Sequence, residues 1–525
     1  MRENLVETQG NYAIYLPAIS SFYAAYVGKQ RYEEFVPQDR IPSRFTSGIE
    51  GLNFLNMREG YFKYPWALYS AGHADMNLDK FSAKEDMVRN RAQDTVLVGD
   101  SGGFQISKGV WMGEWLEPYG VDKKTDEIRE KVLRFLEGTF DYSMVLDLPT
   151  FSVTHSHLHG LDTWQKCLQG TLNNNDYFAQ AREPGATKFL NVLQGNNWKQ
   201  CEEWYEAVKP YSTGEKANFE GWALSSINKK DVEIAIRRLL RMREDGFLGE
   251  TEWMHYLGTG ELLWSIVLTS FQREIRDKIN PDIILSYDCA SPFLATAYGT
   301  MYTSIHTDHL RKGWTYRMLK AVDDKKYSTD TRIFDYNIEF PDRDWEPSPI
   351  SERIQMNDVC PYGPGDLNKI GKEGRTSWDS FSYALQMGHN VYLHILATQR
   401  ANECYDQGIM PKQLIAPNGA HIAEVIHEIF SKKDHANAIA EVEKYSRWFT
   451  RIQGVNTSEA YADELGIEPM GKDEVMAKEV YSAEESFHNL FRLIQLILLL
   501  LNCPLHPHTT QTIHLYYYQT QALLK

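Results

Sequence analysis

Four residues able to read a base edge or move a proton each close a short apolar run. They are Asp100 after Val96-Leu97-Val98-Gly99, Asp147 after Met144-Val145-Leu146, Gln194 after Asn191-Val192-Leu193, and Asp288 after Ile283-Ile284-Leu285-Ser286-Tyr287. The richest of these segments continues as Asp100-Ser101-Gly102-Gly103-Phe104-Gln105. Its two glycines let the backbone approach a ligand where a Cβ would clash. Phe104 offers a face for stacking, and Gln105 offers both a donor and an acceptor to a base edge. The set suits a flat, polar heterocycle. The bland alternative is a strand-to-helix turn in which Asp100 or Ser101 caps the helix and the glycines only make the bend. One acid at a strand end is ordinarily such a cap; four acid, base or edge-reading residues on one rim make a site.

A shared rim requires strands that all point the same way. Seven apolar runs end in polar or glycine residues and alternate with amphipathic, helix-like stretches: 66–70, 96–100, 144–147, 189–195, 221–225, 255–258 and 283–288. This alternation predicts βαβ units and a parallel sheet. Seven units in a row favour a closed (β/α)8 TIM barrel over an open sheet, with Asp100, Asp147, Gln194 and Asp288 at the C-terminal face where such barrels place their chemistry. The barrel, with an N-terminal extension, is expected over residues 1–345. Prolines 341, 347 and 349 and the stretch Pro361-Tyr362-Gly363-Pro364-Gly365 then mark an irregular connection. A mostly helical accessory region is expected over 346–525, with helices near 378–400 and 420–452.

The chain has 525 residues and a formal charge of −16, which argues against attachment to nucleic acid by bulk electrostatics, though local basic patches can hold a substrate. Six scattered cysteines without paired spacing predict a reducing compartment. The opening MRENLVETQG has no apolar core of a signal peptide, so a cytoplasmic location is expected. The run from Leu493 to Leu501 is far shorter than the roughly 20 residues of a spanning helix and predicts a buried helix instead.

The hexad DSGGFQ at 100–105 resembles the signature of the tRNA-guanine transglycosylase family. Tyr287-Asp288-Cys289-Ala290-Ser291-Pro292 resembles the family's aspartate-cysteine-x-x-proline segment, which holds the nucleophile. Asn191-Val192-Leu193-Gln194-Gly195 resembles its valine-glutamine-glycine strand, and Val145-Leu146-Asp147 its second recognition aspartate. Gly221-Trp222-Ala223-Leu224 and His255-Tyr256-Leu257-Gly258 resemble the two strands that follow, in the right order, over residues 60 to 400 or so.

The family exchanges guanine in a nucleic acid for a 7-deazaguanine without cutting the backbone. The resemblance therefore implies a pentosyltransferase in which Asp288 attacks the anomeric carbon to give a covalent nucleotide intermediate. It implies that Asp100 is the general acid/base and that Asp147 and Gln194 bind the base edge. Ser101, Gly102, Gly103, Phe104, Gln105, Gly195, Ser225 and Ser226 would complete the pocket. A carboxylate is a competent nucleophile at an oxocarbenium-like sugar centre, and the target base must be flipped out or presented in a loop.

The chain departs from the family at three places. The family's C-x-C-x-x-C zinc cluster is reduced to Cys360, with His389-Asn390-Val391-Tyr392 resembling the segment that supplies the histidine. One thiolate and one imidazole do not close a tetrahedral site. No cofactor is therefore expected to be required, and the structural zinc is expected to be absent or altered, with Asp358 or Asp366 as further oxygen donors. Phe293 to Gly299 lacks the arginines that grip an anticodon loop, and Ser225-Ser226 replaces a glycine pair. These changes make the chain look like the diverged branch that inserts 7-deazaguanines into DNA in phages and bacterial modification systems, with the host cytoplasm as its location if phage-encoded. The implied partners are DNA, with tRNA the alternative, a free 7-deazaguanine base such as the 7-cyano form, and a second copy of the chain; no membrane is implied. A noncatalytic partner subunit is the reading from another class, against which the presence of both Asp100 and Asp288 argues.

Two basic segments are candidates for the phosphate backbone. Residues 309–320 interleave cations with aromatics, with Arg311, Lys312 and Arg317 as the contacts, a mixture suited to phosphate binding and base stacking. Arg237, Arg238, Arg241 and Arg243 fall on one predicted helix. For both, the plain alternative is a solvated helix face. His155, His157 and His159 alternate after Asp147 and are read as a polar loop before a metal site, and Cys503, His506, His508 and His514 likewise carry only a weak metal pattern. Cys289 is read as a packing residue.

Overall fold

The computed structural model describes residues 2–28, 36–72, 86–308, 313–366 and 376–453. Eight parallel strands form one sheet in which the second to the eighth each pair with their sequence neighbours and the first pairs with the last. They are β1 (Ile14–Pro17), β2 (Trp66–Ser70), β3 (Val96–Asp100), β4 (Tyr142–Met144), β5 (Lys188–Leu193), β6 (Gly221–Leu224), β7 (Trp253–Tyr256) and β8 (Ile284–Cys289). Beyond β1 the Ala18–Leu68 bridge, with Ile19 N donating to Leu68 O at 2.9 Å, brings the ends together into a (β/α)8 TIM barrel.

Each of the seven apolar runs overlaps a strand, with β4 and β7 ending earlier than their runs, at Met144 and Tyr256. β1 is the addition. It is four residues long and runs straight into Pro17 and Ala18, so it offers no alternation long enough to read. Its role is closure, with Ile14 to Pro17 in register with Ser286 to Cys289.

The helices cover the outside: α1 (Ser21–Gly28), α2 (Gly103–Ser107), α3 (Lys123–Glu137), α4 (Trp164–Ala181), α5 (Trp198–Val208), α6 (Val232–Glu244), α7 (Leu262–Lys278) and α8 (Ser291–Ala297). Four of them begin on side-chain caps that satisfy their first amides: Asp122, Thr163, Asn197 and Asp231 for α3 to α6. After α8 comes an antiparallel hairpin, β9 (Thr300–His306) and β10 (Thr315–Lys320), then α9 (Ser380–Asp406), α10 (Ile422–Ser431) and α11 (His435–Gln453).

α9 is the exception to the rule that helices bury one stripe. It is buried almost along its whole length, packed among α7, α8 and β9. The N-terminal strap crosses it: Gln399 donates to Leu5 O at 2.6 Å, Tyr392 to Arg2 O at 3.0 Å, and Arg2 pairs with Glu403. The boundary at residue 345 therefore marks a change of pattern inside one compact unit to which all described residues belong. Leu493–Leu501, Cys503 and the tail histidines lie outside the described residues. Among the described residues no helix is long and apolar enough to cross a membrane.

Candidate active site

Asp147 sits just past the end of β4, and the polar inner face of α4 holds it there. Asn174 donates to Leu146 O at 2.9 Å, and Leu148 N donates to Thr171 Oγ1 at 2.9 Å, so both flanking peptides are fixed. The carboxylate accepts a hydrogen bond from Gln194 Nε2 at 2.6 Å. Gln194 Oε1 in turn accepts from the Ser226 hydroxyl, which lies 3.0 Å from Thr150 Oγ1, itself bonded to Asn196. This chain fixes which end of the Gln194 amide faces Asp147. Ser226 has φ of 52°, a conformation glycine adopts freely and serine rarely.

Asp100 ends β3 in register with Ser70, whose hydroxyl donates to its carboxylate. The chain then passes Gly102 at φ 84° and Gly103, where a Cβ would fall 2.3 Å from Asp147 O. That contact requires glycine, and it brings the two acid-bearing loops together. Phe104 is half-buried, 6.0 Å from the Phe151 ring. Ser101 Oγ and Gln105 Oε1 are buried with no hydrogen-bond partner among the described residues, which leaves a hydroxyl and an acceptor beside Asp100 for a ligand or water.

Asp288 lies on β8 with Ser286 two residues before it, so both project to the same side of the sheet. His255 on β7 is the register partner of Ser286. Its Nε2 is 3.0 Å from Asp288 Oδ1, and Gly258 N donates to the same oxygen at 2.6 Å. Its Nδ1 is 2.8 Å from Ser286 Oγ, and that oxygen accepts from Trp253 Nε1 at 2.7 Å.

The electrostatics tie these groups together. Burial raises the Asp100 carboxyl above the usual range, opposed by the Ser70 hydroxyl and reinforced by the negative charge of Asp288; Gly102 N–H and His255 also pull it down. Burial pushes Asp147 up to about 7, with the Gln194 hydrogen bond opposing and Asp100 adding repulsion. Three carboxyls thus share one poorly solvated rim, where burial favours the protonated forms of Asp100 and Asp147. Cys289 is pushed by burial up to about 11, so it is a neutral thiol near neutral pH.

Other candidates stand elsewhere. Gly195, at φ 133°, packs on Cys201, and Ser225 N donates to Leu193 O. His389 is buried with Nδ1 2.8 Å from Ser348 Oγ and Nε2 2.9 Å from Tyr302 O, while Cys360 Sγ donates to Val322 O at 3.6 Å. The structure does not bring the two together: each has its own partners, and Asp358 and Asp366 cap local turns. Among the described residues no group of three or more His, Cys, Asp or Glu side chains is placed to hold a metal.

The basic segments differ from expectation. Arg311 and Lys312 lie outside the described residues. Arg317 stands half-buried on β10, a strand rather than a helix, and the neighbouring aromatics are not available for base stacking. Trp314 and Tyr316 are buried, Tyr316 stacking on Tyr302 at 4.6 Å. The arginines of α6 are occupied by acids: Arg237 by Glu233, Arg238 by Glu202, and Arg241 by Glu206, Glu244 and Asp245, while Arg243 donates to Phe430 O. His155, in the turn Thr150–Leu158, contacts Lys108, and His159, just after it, contacts Ser107 O.

His255 is the residue that the sequence reading passed over. It sits inside an apolar strand, where a histidine reads as core, and the signal is visible only once β7 and β8 are placed in register. No family model matches the chain, and no curated protein matches it.

Proposed function

We propose that this chain is a transglycosylase that exchanges guanine in a nucleic acid, most simply DNA, for a 7-deazaguanine base. The observation that carries the reading is the convergence of Asp100 and Asp288 on one rim beside the Asp147–Gln194 pair. A carboxylate with one oxygen left open serves as nucleophile, a second carboxyl that holds its proton above the usual range serves as acid and base, and a carboxylate–amide pair can bind a purine edge. Asp288 attacks the anomeric carbon, the guanine leaves with a proton from Asp100, and the incoming base returns a proton to Asp100 as it displaces Asp288. The resemblance of DSGGFQ and the Asp288 segment to the tRNA-guanine transglycosylase family supports the same assignment. The absence of arginines between Phe293 and Gly299, and Ser225-Ser226 in place of a glycine pair, favour DNA over tRNA.

The test is base exchange, with labelled guanine or 7-cyano-7-deazaguanine offered alongside duplex DNA, single-stranded DNA and bulk tRNA. Incorporation into DNA that disappears in Asp288→Ala is the expected result. Incorporation into tRNA alone would replace the substrate and keep the chemistry; no incorporation into any of them would reject the proposal.

A further inference from the structure

Asp288 Oδ1 receives two N–H groups, from Gly258 and from His255, whereas Oδ2 accepts none among the described residues. The donor on His255 follows from its surroundings. Ser286 Oγ is already an acceptor for Trp253 Nε1–H at 2.7 Å, so its own hydrogen goes to His255 Nδ1 at 2.8 Å; Met254 O is the longer alternative at 3.4 Å. With Nδ1 accepting, the ring proton lies on Nε2 and points at Asp288. Trp253, Ser286 and His255 are all essentially without solvent exposure, so the relay cannot be replaced by water.

We propose that His255 is a positioning residue that presents Asp288 Oδ2 for attack and sets the balance between free and esterified Asp288. This rests on the reading of Asp288 as nucleophile. In the first step the C1′–Oδ2 bond forms and the C1′–N bond to guanine breaks, its electron pair leaving with the purine, which takes the Asp100 proton. Oδ1 then becomes the carbonyl oxygen of an ester. In the second step the incoming base gives its proton to Asp100, attacks C1′, and returns the C1′–Oδ2 electron pair to Asp288. A carboxylate accepts hydrogen bonds more strongly than an ester carbonyl. The His255 N–H therefore favours the free carboxylate, makes Asp288 the better leaving group, and keeps the intermediate from persisting.

The experiment compares His255→Phe, which removes the N–H but keeps the ring, with His255→Gln, whose amide N–H reaches a similar point. Ser286→Ala, which releases the tautomer without touching Asp288, is the second probe should the phenylalanine variant not fold. Each is incubated with the nucleic acid that supports exchange, and the denaturant-stable covalent complex is measured before and after adding 7-cyano-7-deazaguanine. In His255→Phe the covalent fraction is expected to rise while its release by added base slows about tenfold, the loss of one hydrogen bond to a charged group. Ser286→Ala is expected to move both quantities the same way by less, and His255→Gln to restore them. A parallel fall of covalent fraction and exchange in folded variants, or no restoration by glutamine, would overturn the proposal and leave His255 a packing residue. A wild-type chain that forms no Asp288-dependent complex would overturn the nucleophile assignment, and this proposal with it.

Discussion

Replacing Asp147 with asparagine should make the protein more stable and less active, and the gain should grow with pH. Asp147 is buried, and its carboxyl is pushed from 3.8 up to about 7. The folded protein keeps a proton there through a range in which the unfolded chain has lost it. Stability from this group is therefore full below about pH 4, falls as pH rises to 7, and then levels off. The ceiling is about 4 kcal/mol of destabilisation well above pH 7, of which about 1.5 kcal/mol is already felt at pH 5. Asparagine keeps an acceptor for Gln194 and has nothing to titrate. At about 2 cal/mol/K of unfolding entropy per residue, a chain of this size gains about 1 °C per kcal/mol. The melting temperature of Asp147→Asn should thus pull away from wild type by about 2 °C between pH 5 and pH 8. Thermal melts of both proteins across that range are the assay, with base binding by calorimetry alongside, where the asparagine variant should lose affinity for guanine at pH 8. A constant gap in melting temperature, or a variant less stable than wild type at pH 8, would refute the account of the Asp147 environment.

Asp100→Asn should stop exchange while leaving nucleic-acid affinity within about threefold of wild type by filter binding, because the amide cannot shuttle the proton; loss of binding would mean the residue is misassigned. Gly103→Ala places a methyl 2.3 Å from Asp147 O, so it should cost about 1–3 kcal/mol by denaturant unfolding and abolish exchange together; wild-type stability would show that the two loops can part. A fragment ending at residue 345 lacks α9, which packs among α7, α8 and β9, and should fail to give a soluble, cooperatively unfolding product; a sharp melting transition would show that the barrel stands without it.

The barrel was largely legible because seven of its strands are bounded apolar runs, and because Asp100, Gln194 and Asp288 lie at or near their ends. What escaped has physical causes. β1 is four residues whose identity as a strand is set by pairing with β8, not by its own pattern. His255 earns attention only through a neighbour on another strand. The cation–aromatic mixture at 314–320 reads as a surface because both residue types favour interfaces, yet the strand period sends Trp314 and Tyr316 inward, against Tyr302 and α9. The arginines of α6 read as a patch because two of the acids that pair with them, Glu202 and Glu206, come from α5, far away in sequence, while Glu233, Glu244 and Asp245 lie on α6 or at its end.

The pairing of β1 with β8 also sets a timetable for synthesis. Leu16 lies opposite Asp288, so a strand made at the start waits for a partner about 270 residues later. At 5–20 residues per second that is roughly 14 to 55 seconds on the ribosome with an open sheet edge. The strap that meets α9 waits longer still, since Gln399 and Glu403 come later again. Until then the nascent chain carries apolar strands with unpaired amides and carbonyls, a state prone to edge-to-edge association. Asp288 is among the last parts of the barrel to be made, so an interrupted chain would hold Asp100 and Asp147 but not the proposed nucleophile.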